Sequence, residues 1–263
     1  MKYWEIKMKA EKVGELLLYG EISNFDFWGD EVTPKQIDAE LKALGPMDTL
    51  NVRINSGGGS VFAGQAIYSI LKRCDAKEKV AYIDGLAASI ASIIPMACDK
   101  VIMPGNAMMM IHRPWAGATG DAEDLRQMAE VLDKVEGTMV DIYEAKTQLD
   151  RQEIADMLAA ETWMTAQEAK DKGFIDEIEQ DMKVAASIKD GTITIGEVTA
   201  DLSRYKNIPE MYRAEIDPPE PVANKNPVDH VPEPPAPEPD PPVNLAEQTA
   251  DFMRLRKKLL GGE

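Results

Sequence analysis

The sequence predicts an α/β domain with mostly parallel strands, and three observations carry that expectation. From about residue 14 short strand-like runs alternate with helix-like segments, an order that lays strands side by side and uses the helices as crossovers. Glycines mark the places where a strand gives way to a helix, at 57–59 and again at Gly85. Composition then shifts: residues 217–243 hold 11 of the 17 prolines together with six acids and one lysine, which cannot build a core and favours extended polyproline conformations. The expected division is a domain at 1–185, a connecting segment at 186–216, a disordered proline-rich acidic linker at 217–243 and a short amphipathic helix at 244–263.

Each element has its own signal. "ELLLYGEI" reads as a strand, and "TPKQIDAELKALG" as a helix capped by Thr33, opened by Pro34 and stopped at Gly45, with Ile37, Leu41 and Leu44 on one stripe. "LNVRIN" is a short strand. Beyond the glycines, "SVFAGQAIYSILKR" sets Ala63, Ala66, Ile67, Ile70 and Leu71 at helical spacing and leads to the strand "KVAYID". A tight turn and a buried helix starting at Ser89 follow, then the strands "KVIMP" and "MMMIHRP". Asp121 is the expected cap of a long helix whose apolar stripe runs through Leu125, Met128, Leu132, Val135, Met139 and Ile142. Thr165 and Glu168 stand at capping-box spacing, Gly173 stops that helix, and Phe174, Ile175 and Ile178 look like a last strand. At the end, "NLAEQTADFMRLRKKLL" places Leu245, Thr249, Phe252, Leu255 and Leu259 on one side, either a fraying terminal helix or a docking peptide for a partner.

Charge and composition exclude several classes of function. A net charge of −17 argues against nucleic acid as a partner, because phosphate binding needs a basic face. No apolar run reaches the length of a membrane span, and "MKYWEIKMKAEK" lacks the apolar core of a secretory signal, so the expected location is the cytoplasm. There Cys74 and Cys98 stay reduced, and two histidines form no zinc-spaced cluster. No cofactor or metal is expected.

Two features have both an ordinary and a chemical reading. "RINSGGGS" joins strand to helix and is either a plain tight turn or a loop whose amides face an anion. Ser89 is a helix cap or a nucleophile placed where helix amides favour developing negative charge, while Ser92, one turn on, reads only as a small packing residue. A serine nucleophile needs a base. His230 lies in the proline-rich stretch, which leaves His112, at the end of "MMMI" and 23 residues beyond Ser89. Glu161 is a candidate orienting carboxylate, but spacing alone does not select it among 46 acids.

Taken together, "INSGGGSVFAG", "DGLAASIAS", "MMMIHRPW" and "ETWMTAQEAKDKGFIDE" resemble the ClpP-like caseinolytic serine peptidases in order and spacing, over roughly residues 14 to 180. "INSGGG", "WGDEVTP", Trp115 and Trp163 are more similar to the phage-encoded branch of head maturation, or prohead, proteases. The resemblance implies a ββα superhelix of the ClpP/crotonase type, assembled into a heptameric ring or stacked double ring through the long helix. It implies Ser89 as nucleophile, His112 as general base, Glu161 where better-known members have Asp, and the amides of Gly58 and Ile90 as oxyanion hole. Gly57, where proline is commoner, Gly59 and Trp115 are implied to bind substrate as an added strand. The implied function is ATP-independent cleavage of capsid or scaffold precursors in the phage prohead. Its alternatives are a degradative subunit working under an AAA+ unfoldase, a catalytically silent ring serving as scaffold, and a crotonase-like acyl-CoA enzyme, against which the Ser/His pair counts.

Overall fold

A computed structural model describes residues 4–25, 33–179, 186–189, 192–195, 198–201 and 205–209, all within one compact unit, Met1–Glu220. The proline-rich stretch, His230, the C-terminal amphipathic segment and most of "WGDEVTP" lie outside the described residues.

The frame is a mixed α/β sheet. Strand β1 (Trp4–Ala10) pairs antiparallel with β2 (Val13–Tyr19) across a tight turn in which Lys12 takes a φ of 58°. Its period of two, with Trp4, Ile6 and Met8 alternating against Glu5, Lys7 and Lys9, is a strand signal that the expected start near residue 14 passes over. Helix α1 (Pro34–Leu44) precedes β3 (Met47–Ser56), helix α2 (Val61–Arg73) precedes β4 (Ala76–Ala88), and β2, β3 and β4 run parallel. Thr33 caps α1 by position only: its hydroxyl donates to Gln36 Oε1 and makes no bond to the backbone. Leu16, Leu18, Val52, Ile54, Ala81 and Ile83 put a continuous apolar layer inside. Each large side chain fully removed from water contributes about 1.5–3 kcal/mol.

Strand β4 is the element that positions the site. Its middle pairs with β5 (Lys100–Pro104), Val80 to Lys100 through Tyr82 to Ile102, while its end pairs with β6 (Met108–Ile111), Leu86 to Met108 through Ala88 to Met110. The expected turn at 85–88 is therefore strand. Ala87 and Ala88 are small because both are fully buried, not because the chain bends there. Past Ala88 the expected buried helix is two short 3-10 pieces, Ser89–Ile93 and Pro95–Ala97. Pro95 offers no amide proton and the run is rich in β-branched isoleucine, both unfavourable to a longer α-helix.

The long helix is α3 (Ala122–Thr147), with Asp121 and Asp124 forming a capping box. Its second half is held by buried Met139, Val140 and Tyr143, whereas its first half leaves Leu125 and Val131 nearly half exposed. Helix α4 (Arg151–Ala160), β7 (Thr162–Thr165), α5 (Ala166–Asp171) and β8 (Glu177–Glu179) complete the domain, β7 antiparallel to β6 and β8 parallel to β5. The Thr165/Glu168 capping box and a Gly173 of positive φ stand where the sequence places them. Residues 186–216, read from sequence as a connector, contain a small antiparallel sheet of β9 (Ala186–Lys189), β10 (Thr192–Ile195) and β11 (Val198–Asp201).

Candidate active site

The β4–β6 register fixes the first contact. Because Ala88 pairs with Met110, the residues just beyond each strand end side by side. Ser89 Oγ lies 2.7 Å from His112 Nε2. Four consecutive buried residues, Met108 to Ile111, anchor the strand that delivers the imidazole. Burial pushes the His112 pKa below its ordinary value, and the Glu161 charge pulls it partly back. The ring is therefore neutral near pH 7 and able to accept a proton.

Ser89 itself is strained. Its φ of 55° lies in the left-handed region that a non-glycine residue enters at a cost of about 1–3 kcal/mol. It is not the cap of the 3-10 turn that follows, a position held by Ala88. What holds the conformation is a fully buried pair of hydroxyls. Ser92 Oγ donates to the Ser89 carbonyl at 2.5 Å and lies 2.7 Å from Tyr143 Oη. Ser92 has a single proton, so Tyr143 is the donor of the second bond. Burial raises the Tyr143 pKa, which keeps that phenol protonated. Ser92, itself held by Tyr143 of α3, thus braces the nucleophile rather than merely packing.

The glycine loop closes from the other side. A Cβ on Gly58 would stand 2.7 Å from Ser89 Cβ and 2.9 Å from the Ala88 carbonyl, and its φ of 100° suits glycine. A Cβ on Gly59 would stand 2.1 Å from the Ile22 carbonyl. The loop is pinned there, Ile22 N–H donating to Gly58 O and Ser60 N–H to Ile22 O. The Gly58 N–H donates to Ser56 Oγ at 3.1 Å, so that amide is already engaged and does not match the oxyanion role expected of it. Gly59 lines the groove beside Ser89 and Ile90, and its N–H has no hydrogen-bond partner among the described residues. Ile90 is placed by a close approach of α2: a Cβ on Gly64 would stand 2.3 Å from Ile90 Cγ1.

Around these residues runs an apolar groove of about 480 Å³. Gly57, Gly59 and Trp115 line it, with Phe62 and the Met128, Val131, Leu132 and Val135 face of α3. Trp115 is 67% exposed, so its indole is available to a ligand.

Glu161 stands apart from the pair. It caps α4 with a φ of 52°, and its Oε1 accepts the backbone amides of Lys206 at 2.8 Å and Asn207 at 2.7 Å, with Trp163 Nε1 at 3.5 Å. No hydrogen bond joins it to His112 among the described residues, and its charge reaches the imidazole only through space. Tyr205, for which the sequence offers no signal, packs edge-on against both His112 and Trp163, ring centroids 5.7 and 5.6 Å away. Cys74 and Cys98 are free thiols, Cys98 pushed up to about 12 by burial. Among the described residues no acid, histidine or cysteine cluster has the make-up of a metal site, and no helix is long and apolar enough to cross a membrane.

Comparison with known proteins bears on the same residues. The family model described as Clp protease matches residues 27–182. An ATP-dependent Clp protease proteolytic subunit of Bacteroides thetaiotaomicron is 32% identical over 155 residues, covering 57% of this chain and 70% of the relative. The proteolytic subunit 1 of Chlamydia abortus is 34% identical over 162 residues, covering 58% and 84%. The proteolytic subunit 3 of Rhodococcus jostii is 32% identical over 168 residues, covering 62% and 79%.

Proposed function

The chain belongs to the Clp protease family, whose members are serine-type peptidases, and on that premise we propose that it is a serine endopeptidase in which Ser89 attacks and His112 serves as base. The observation that carries this reading is the 2.7 Å approach of Ser89 Oγ to His112 Nε2 at a left-handed junction. His112 accepts the Ser89 proton as Oγ bonds to the scissile carbonyl carbon. The resulting oxyanion is met by the amides of Gly59 and Ile90, preorganised donors that stabilise charge as it develops. His112 then gives its proton to the departing amine, leaving an ester on Ser89. Water, activated by the same imidazole, hydrolyses that ester and restores the serine. Glu161 contributes as a nearby negative charge that favours the imidazolium.

Substrate lies extended along the glycine loop as an added strand, with apolar side chains in the groove toward α3 and Trp115. The protein works as a ring, heptameric or doubled, that covers the exposed Leu125 of α3. Its targets on the motif reading are capsid or scaffold precursors of a phage head, cleaved without ATP. A second reading, a degradative subunit under an unfoldase, is favoured by the relatives' description as ATP-dependent proteolytic subunits. Hydrolysis of short fluorogenic peptides without nucleotide tests the shared chemistry: Ser89→Ala abolishes it while the particle mass stays unchanged. Equal hydrolysis by the variant removes Ser89 from the mechanism. Digestion of folded precursor protein by the chain alone supports the first reading, and a requirement for an added unfoldase and ATP supports the second.

A further inference from the structure

Residues 205–208 lie beyond the 27–182 span matched by the family model, yet they touch the glycine loop, the base and the acid. Tyr205 is 6% exposed and Ile208 8%, values of a core rather than of a trailing segment. The Tyr205 phenol donates to the Gly57 carbonyl at 2.5 Å, tying down the peptide group just ahead of the glycines that flank Ser89. Its ring stands edge-on to the His112 imidazole at an interplanar angle of 77°, shielding that ring from water. The two following amides converge on Glu161 Oε1, and Asn207 Nδ2 donates to the Ala160 carbonyl at 2.7 Å, so the end of α4 is held by side chain and backbone alike. A carboxylate oxygen accepting two amide protons is a fixed charge, because such charge-assisted bonds are stronger than neutral ones.

We propose that Tyr205 is a positioning residue of the active site, and that the Tyr205–Asn207 segment is a clamp supplied from outside the family domain, which sets the glycine loop, the imidazole and Glu161 relative to one another. It rests on the peptidase reading above. The clamp answers a local need: among the described residues Glu161 makes no hydrogen bond to the imidazole, and the triple glycine offers no side chain to stiffen its own loop. The phenol stiffens the loop from outside, and the amides fix where the acid's charge sits.

The test is the second-order rate of fluorophosphonate labelling as a function of pH, using the full chain, since this reagent needs no knowledge of cleavage preference. Tyr205→Phe keeps the ring against His112 and loses only the bond to Gly57; it labels several-fold more slowly with the wild-type acid-limb midpoint. Tyr205→Ala also opens the imidazole to water, which relieves its desolvation; it labels at least tenfold more slowly and its midpoint moves up toward that of an ordinary histidine. Rates and midpoints equal to wild type in both variants overturn the clamp, and so does faster labelling of Tyr205→Ala, which would make the segment a strap that obstructs the site. If Tyr205→Ala does not fold, the Tyr205→Phe rate decides alone: slower supports, equal or faster overturns. A wild type that is not labelled at Ser89 at all is a different failure, that of the peptidase reading itself.

Discussion

The two ends of the candidate site are built in opposite ways. At the nucleophile end, Ser89 and His112 follow two paired strands, and Ser89 is braced by fully buried Ser92 and Tyr143. At the acid end, Glu161 sits at a helix terminus and is held by amides from a segment some forty-five residues further along the chain. The first end depends on sheet register, which is strongly specified wherever a strand face is buried. The second depends on a tertiary contact that no local pattern specifies. One end is rigid by construction, and the other is rigid only while its partner segment stays docked.

That contrast can be broken from the nucleophile side most forcefully. His112→Ala removes the base and lowers peptide turnover by roughly 10²- to 10⁴-fold, measured against wild type with the short fluorogenic peptides; a drop below tenfold would break the pairing. Gly58→Ala inserts a Cβ 2.7 Å from Ser89 Cβ at a φ of 100°, which costs about 1–3 kcal/mol. It lowers the melting temperature in calorimetry and suppresses labelling together, and retention of both would show that the loop has room to retreat.

Ser92→Ala sharpens the comparison further. It frees the Ser89 carbonyl and leaves the buried Tyr143 hydroxyl without its partner, for about 1–3 kcal/mol of stability. Adding Tyr143→Phe removes that orphan group, so the double variant regains part of the loss in denaturant unfolding. Strict additivity of the two changes would mean that the hydroxyls do not act as a pair. The smallest effect belongs to the acid end. Wild-type turnover rises through the His112 pKa on an acid limb centred below the ordinary value near 6.5, because desolvation disfavours the charged ring. Glu161→Gln deletes the charge that raises that pKa, so the midpoint moves further toward acid in a pH–rate profile. A move toward neutrality would contradict the assigned sign.

The legibility of the sequence follows the same division. Periodicity located α1, α2 and α3, and the Asp121 and Thr165 caps lie where side-chain chemistry puts them. Ser89 stood out as the start of a new apolar run after Gly85, and His112 as the end of "MMMI", but their catalytic roles came only from the resemblance of the motifs. The continuation of β4 to Ala88 was hidden because small residues suit a turn and a crowded core equally well. Gly58 was a natural oxyanion donor until Ser56 Oγ proved to hold its amide, a contact made within a loop whose sequence carries no such instruction. The role of Ser92 depended on Tyr143, fifty-one residues away. Tyr205 lies beyond the last strand read from the sequence, in a stretch without periodicity, so only the fold brings it to His112.

The central claim is a covalent one, and locating the adduct tests it most directly. Wild-type protein treated with a fluorophosphonate and digested for tandem mass spectrometry should carry one added phosphonyl group, on Ser89, and His112→Ala should carry almost none in the same time. An adduct on another hydroxyl such as Ser92, or equal labelling of Ser89 without His112, would contradict the account.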